Sequence, residues 1–184
     1  MGKRPATYAD LEALPPDVVG ELVEGELYVS PRPAFPHAVA ASQLGGELIG
    51  PFNRGRGGPG GWIILDEPEL HLGNDVVVPD LAGWTRERMP LPPRTAATSL
   101  APDWVCEVLS PSTVALDRGV KLRVYARGGV RHVWWVDPEA RTLEVLRLEG
   151  AHFLLLDSHT GKARVRAPPF EALELELAVL WGEQ

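Results

Sequence analysis

Cysteine is almost missing from this chain: Cys106 stands alone among 184 residues. A lone thiol cannot close an internal disulfide. Long hydrophobic runs are missing as well, and no basic stretch followed by an apolar one opens the chain. A bilayer-crossing helix and a secretory leader are therefore not expected, and the reading is a soluble, cytoplasmic protein with no membrane partner. Positive charge is in deficit, with a formal net charge of −7 and an isoelectric point near 5.2. That balance argues against a protein that coats nucleic acid by bulk electrostatics, although a local basic patch is compatible with an acidic body. Lysine is scarce, three against fifteen arginines, which makes each lysine position informative.

Several familiar strings are lacking too. The five histidines show no HExxH spacing, and no Walker-type phosphate loop is present. Gly55-x-Gly57-x-x-Gly60 matches a dinucleotide fingerprint by letter, but a strand does not precede it and a helix does not follow. It reads as a turn, so no nucleotide cofactor is expected.

A chain of this length buries about 70% of its unfolded surface, enough for a core without staples. The expectation is a single domain over residues 1–184, with 1–35 as an N-terminal helix and hairpin extension and 142–184 as a C-terminal antiparallel extension. Thr7 and Asp10 fit a capping box for a short helix ended by Pro15 and Pro16. Residues 21–30 read as a hairpin turning at Gly25, and residues 37–49 as a helix packed on a sheet. Residues 62–65 and 76–84 read as strands. Pro79, which cannot donate to a ladder, interrupts the second at a bulge, an edge or a lapse in pairing, where it presents Asp80. Residues 85–102 read as a long surface loop. From 103 to 137 the pattern is strand, turn, helix, strand, a β-α-β unit. Along its helix Asp117, Lys121 and Tyr125 recur every four residues, beside an apolar stripe of Leu116, Val120 and Val124. Hairpins on either side then give a mixed β-sheet flanked by helices, an α/β fold.

The anomaly in that unit is Glu107, a carboxylate amid Trp104, Val105, Cys106, Val108 and Leu109. Burying it unpaired costs several kcal/mol, so it is protonated, paired or bound to a metal. A pair with Arg118 or Arg123 is one way to satisfy it. Another is a shared site with Asp80, since two carboxylates in a dry site stay ionised together only around a cation, and oxygen donors suit Mg²⁺ or Mn²⁺. A nearby lysine would add a compact positive charge. Taken singly, Asp80 reads as a turn residue, and Asp117 with Lys121 as a solvated helix pair. Cys106 points to the other strand face and reads as a core thiol. The six tryptophans read as core, with Trp84 the candidate for stacking on a base.

Val78-Pro79-Asp80, the string EVLSPST at 107–113, Asp117, Lys121, Tyr125, Gly129-Val130 and Trp134-Trp135-Val136-Asp137 together resemble the Uma-two family of restriction-endonuclease-like proteins, within the PD-(D/E)XK nuclease superfamily. The similarity covers most of residues 20–140. It implies a restriction-endonuclease-like core and a metal-dependent endonuclease acting on DNA. It implies that Asp80, Glu107 and the Val108 carbonyl hold Mg²⁺ or Mn²⁺ and that Lys121 assists the water, with His37, Asp117 and Tyr125 standing behind them. The superfamily's lysine would fall at Leu109, and the nearest replacement is Lys121, which the neighbouring helix could project into the same pocket. Arg54, Arg56, Arg86, Arg88 and Arg94 are the candidate nucleic-acid contacts, and a homodimer is expected by analogy with enzymes that cut two strands. The competing reading is a non-catalytic member of the fold that binds nucleic acid or protein.

Overall fold

The computed structural model describes residues 4–183. Helix α1 (Tyr8–Glu12) begins with the Asp10 carboxylate accepting the Thr7 N–H at 2.8 Å, as the capping box requires. Strands β1 (Val19–Val23) and β2 (Glu26–Ser30) form an antiparallel hairpin. Glu24 and Gly25 both take positive φ, 50° and 78°, the geometry of a primed two-residue turn. Helix α2 (Phe35–Leu48) starts earlier than its apolar spacing indicates, because Pro36 fits the first turn, where no N–H is needed. It runs into a π-helical turn, Ile49–Asn53, before the glycine-rich segment.

The strands that follow are β3 (Trp62–Asp66), β4 (Glu69–Leu72), β5 (Asp75–Val77), β6 (Leu81–Thr85), β7 (Ala97–Thr98) and β8 (Trp104–Val108). Helices α3 (Val114–Arg118) and α4 (Val120–Gly128) precede β9 (His132–Asp137), β10 (Thr142–Glu149) and β11 (His152–Thr160). Short strands β12 (Arg164–Val165) and β13 (Leu175–Glu176) and a 3₁₀ turn, Leu177–Trp181, complete the order. One sheet runs β2-β1-β5-β4-β7 and the other β11-β10-β9-β8-β6-β3, with β12 and β13 as a separate ribbon. Strands β8 and β9 are parallel, so the β-α-β unit is present, inside a sheet otherwise antiparallel. The mixed α/β architecture expected from the sequence is the one observed, divided over two sheets.

Alternation along β8 sends its side chains into two cores. Trp104, Cys106 and Val108 join Ala40, Leu44 and Leu48 of α2 on one face. Phe170 belongs to that core, its ring centroid 4.7 to 5.6 Å from those of Phe52, Trp62, Trp104 and Trp134. Val105 and Leu109 join Val23, Val77, Trp84, Val124 and Tyr125 on the other face, between the sheets.

Three local expectations change, and one strand appears where none was read. Residues 76–84 are two strands in different sheets: β5 ends at Val77, and β6 begins at Leu81 in the other sheet. The lapse at Pro79 is a change of sheet. Glu69–Leu72 is a strand, its Leu70 and Leu72 buried in alternation. The helix after β8 is broken at Gly119, whose φ of −107° and ψ of −94° lie outside helical space, so Asp117 and Lys121 come from successive helices. Trp84 is fully buried and gives its indole N–H to the Leu100 carbonyl at 2.9 Å, so no nucleobase stacks on it. Among the described residues no helix is long and apolar enough to cross a membrane.

Candidate functional site

The change of sheet at Val78-Pro79-Asp80 leaves backbone donors without ladder partners, and carboxylates take them. Glu21 Oε1 accepts the Val78 N–H at 2.8 Å, and Asp80 Oδ2 accepts the Val108 N–H at 2.7 Å. Each bond ties one end of the crossover to a strand of its own sheet, Val78 to β1 and Asp80 to β8, and Asp80 is thereby fixed beside the end of β8. The other Asp80 oxygen lies 3.2 Å from His37 Nε2, on the first turn of α2.

Glu107 is buried, 2% exposed, and its Oε1 is 2.7 Å from Lys121 Nζ. The Tyr125 hydroxyl donates to that same oxygen in a short hydrogen bond. Lys121 Nζ also lies 2.8 Å from Glu21 Oε1 and 3.3 Å from Asp117 Oδ1. Asp117, Lys121 and Tyr125 are therefore the deeply buried stripe of their helices, contrary to a solvated pair. The arginine alternatives for Glu107 are engaged elsewhere, Arg118 with Glu144 and Arg123 with Glu24.

Burial sets the direction of titration for the acids of this cluster. It holds the Glu107 carboxyl well above the usual range, with Lys121 opposing and Asp117, Asp80 and Glu21 reinforcing. Asp117 is raised for the same first reason. Burial pulls Lys121 the other way, but Glu107, Glu21, Tyr125 and Asp117 outweigh it and hold the ammonium well above its ordinary value. The balance around Lys121 favours its charged form.

A cavity of about 310 Å³ opens onto this cluster, lined by Glu21, His37, Glu67, Asp80, Glu107, Val108, Asp117 and Lys121. Its acids outnumber its cationic side chains, and an oxygen-rich, over-acidic pocket suits a hard divalent cation. Among the described residues no group of three or more His, Cys, Asp or Glu is arranged as a metal centre. Carboxylate oxygens of Asp80 and Glu107 are among the hard donors on its lining, and so small a set suits a cation retaining its own waters.

Of the candidates named from sequence, Asp80, Glu107, Val108, Lys121, His37 and Asp117 line this cavity, and Tyr125 stands behind Glu107. None of Arg54, Arg56, Arg86, Arg88 and Arg94 does. Arg86 is held by Asn53 and Arg88 by Asp103, while Arg54, Arg56 and Arg94 are exposed elsewhere. Lys162 pairs with Glu183, and Lys3 lies outside the described residues. Leu109 is buried in the core between the sheets. Glu21 was missed, although it carries the same signal as Glu107, a carboxylate inside an apolar strand. Arg32, also on the cavity, was missed because it sits in a proline-rich connector.

The comparisons agree with this architecture. A structure from Anabaena variabilis ATCC 29413, described as a putative nuclease, matches with a TM-score of 0.76 at 23% identity, covering 97% of this chain and 98% of that one. At that identity the likeness shows the fold. No curated protein matches. The model of the family described as "Putative restriction endonuclease" matches residues 5–179, nearly the whole chain, which therefore belongs to the Uma-two family.

Proposed function

We propose that this chain is a divalent-metal-dependent endonuclease that hydrolyses DNA phosphodiester bonds. The observation carrying this reading is the convergence of Asp80 and Glu107 on one cavity with a buried Lys121 that lies 2.7 Å from Glu107. In this reading Asp80, Glu107 and the Val108 carbonyl hold Mg²⁺ or Mn²⁺ through hard oxygen donors. When bound, such a cation supplies an activated water and neutralises charge on the phosphoryl oxygens.

The chain's own groups supply orientation. The Val108 N–H and His37 fix the two Asp80 oxygens. Tyr125 and Lys121 both act on Glu107 Oε1, which leaves the second oxygen outside that pair of contacts. Lys121 acts as a positive charge near the reacting phosphate and not as a base, because its three carboxylate neighbours keep it protonated. Asp117 and Glu21 position that ammonium. DNA is the proposed substrate, and a homodimer matches an enzyme that cuts both strands.

The test is conversion of supercoiled plasmid in Mg²⁺ or Mn²⁺, with Asp80→Ala, Glu107→Ala and Lys121→Ala assayed in parallel. The wild type is expected to nick or linearise the plasmid and the three variants to lose at least about a hundredfold in rate. Equal activity in all four preparations would assign cleavage to a contaminant and end this reading. A second reading, a non-catalytic binding member of the fold, draws on Lys121 already compensating Glu107 without a metal. Calorimetry with Mn²⁺ separates the two: heat of binding that disappears in Asp80→Ala favours the enzyme.

A further inference from the structure

The cavity is acidic, and its buried ammonium is surrounded by carboxylates, so its own charge does little to draw in a polyanion. Arg32 is the arginine on its lining. Its side chain is exposed, and no carboxylate pairs with it among the described residues. Pro31 and Pro33 flank it, also on the lining, and fix φ on either side, so little backbone freedom remains to be lost on binding.

Three residues further on stands Phe35, 87% exposed, the most exposed large hydrophobic side chain among the described residues. It opens α2 between Ala34 and His37, which line the cavity, while Phe35 itself does not. The ring thus stands at the rim and joins neither core. A free aromatic face and an unpaired guanidinium on one stiff segment beside a phosphodiester site form the pairing that single strands use, an aromatic platform for a base and a cation for the backbone. Within an intact duplex both faces of every base are covered, and a ring can enter between them only by unstacking them.

We infer that Pro31–Phe35 is a nucleic-acid clamp in which Arg32 takes a backbone phosphate and Phe35 stacks on an unpaired base next to the bond to be cut. This rests on the nuclease reading and narrows it to DNA with a single-stranded or unstacked segment at the cleavage point.

The test is fluorescence anisotropy of the full chain with a labelled single-stranded oligonucleotide and with its perfect duplex, in EDTA so that hydrolysis does not intrude. Wild type, Phe35→Ala, Phe35→Trp and Arg32→Ala are compared, and plasmid cleavage is followed separately. The single strand is expected to bind more tightly than the duplex. Phe35→Ala should weaken single-strand binding about tenfold and leave duplex binding nearly unchanged, with Phe35→Trp retaining affinity. Arg32→Ala should lower the slope of log affinity against log salt by about 0.7 on the single strand. Both side chains are exposed, so unfolding midpoints should stay at the wild-type value. If Phe35→Ala binds the single strand as wild type does while wild type cleaves plasmid, the clamp is overturned and the nuclease reading stands. If wild type binds neither oligonucleotide and cleaves nothing, both fall.

Discussion

Lys121 Nζ lies 2.7 Å from Glu107 Oε1, with both side chains buried. The pair joins α4 to β8, and the same ammonium reaches Glu21 on β1 in the other sheet. Lys121→Met would keep much of the volume and remove the charge, leaving Glu107, Glu21 and Asp117 without their common cation. Breaking a buried pair from one side costs about 3–5 kcal/mol, which urea unfolding would report as a lowered midpoint at unchanged slope. A loss below about 1 kcal/mol would place the ammonium in solvent and remove the basis for its role. Lys121→Arg should not rescue, because a planar guanidinium does not fit a pocket shaped for a compact ammonium.

Glu21 holds the Val78 N–H at 2.8 Å, just before the chain changes sheets. Glu21→Ala removes that acceptor and one partner of Lys121. Leaving a buried donor unsatisfied costs about 1–3 kcal/mol. Glu21→Gln keeps an acceptor carbonyl and should cost less. Hydrogen exchange at the Val78 amide distinguishes the two, faster in the alanine variant and near wild type in the glutamine one. Equal protection in all three proteins would mean that the carboxylate does not anchor the crossover.

His37 gives the site a pH dependence whose sign follows from its neighbours. Burial lowers its affinity for a proton, but the Asp80 carboxylate at 3.2 Å more than offsets this, with Asp117 and Glu67 adding, so the imidazole sits above its ordinary value of 6.5. A raised folded-state value means stability fully present below the unfolded value and lost as pH rises through the folded one. Metal-free wild type should therefore lose stability relative to Asp80→Asn as pH climbs from 6.5 through the folded value. The His37 ring proton resonance should titrate above 6.5 in wild type and at a lower pH in Asp80→Asn. An unshifted titration in the variant would disconnect the two residues.

Sequence period exposed the elements that obey one rule at a time. The hairpin at Gly25 and the parallel strands of the β-α-β unit were legible because turn chemistry and apolar runs point the same way there. Glu107 was legible because it violates an otherwise apolar strand. The change of sheet at Pro79 was half legible: proline announces that pairing stops, but where the next strand pairs depends on contacts distant in sequence. The direction of the Asp117, Lys121 and Tyr125 stripe was open from the residues alone, because charged residues at every fourth position normally face water and it is the β1 and β8 carboxylates that bring Lys121 inside. Glu21 went unnoticed for the matching reason, since its partner Lys121 lies on a distant segment.

The C-terminal segment, expected as an extension, closes a core, and Phe170 is the residue through which it does so. Its ring meets those of Trp104 and Trp134 edge-on at 4.9 and 5.6 Å, against the same face of β8 that carries Cys106. Removing a buried phenyl ring costs about 3–5 kcal/mol, so Phe170→Ala should destabilise the whole fold. Cys106 supplies the readout. Burial first, then the nearby Asp80 and Glu107 charges, raise its thiol well above the ordinary value, so the native protein should resist thiol reagents until it opens. When opening is global, a 3 kcal/mol loss multiplies the labelling rate by about 150-fold. Labelling of Phe170→Ala at the wild-type rate, with both proteins folded, would show that Cys106 is reached by a local opening and that the C-terminal segment does not seal this core.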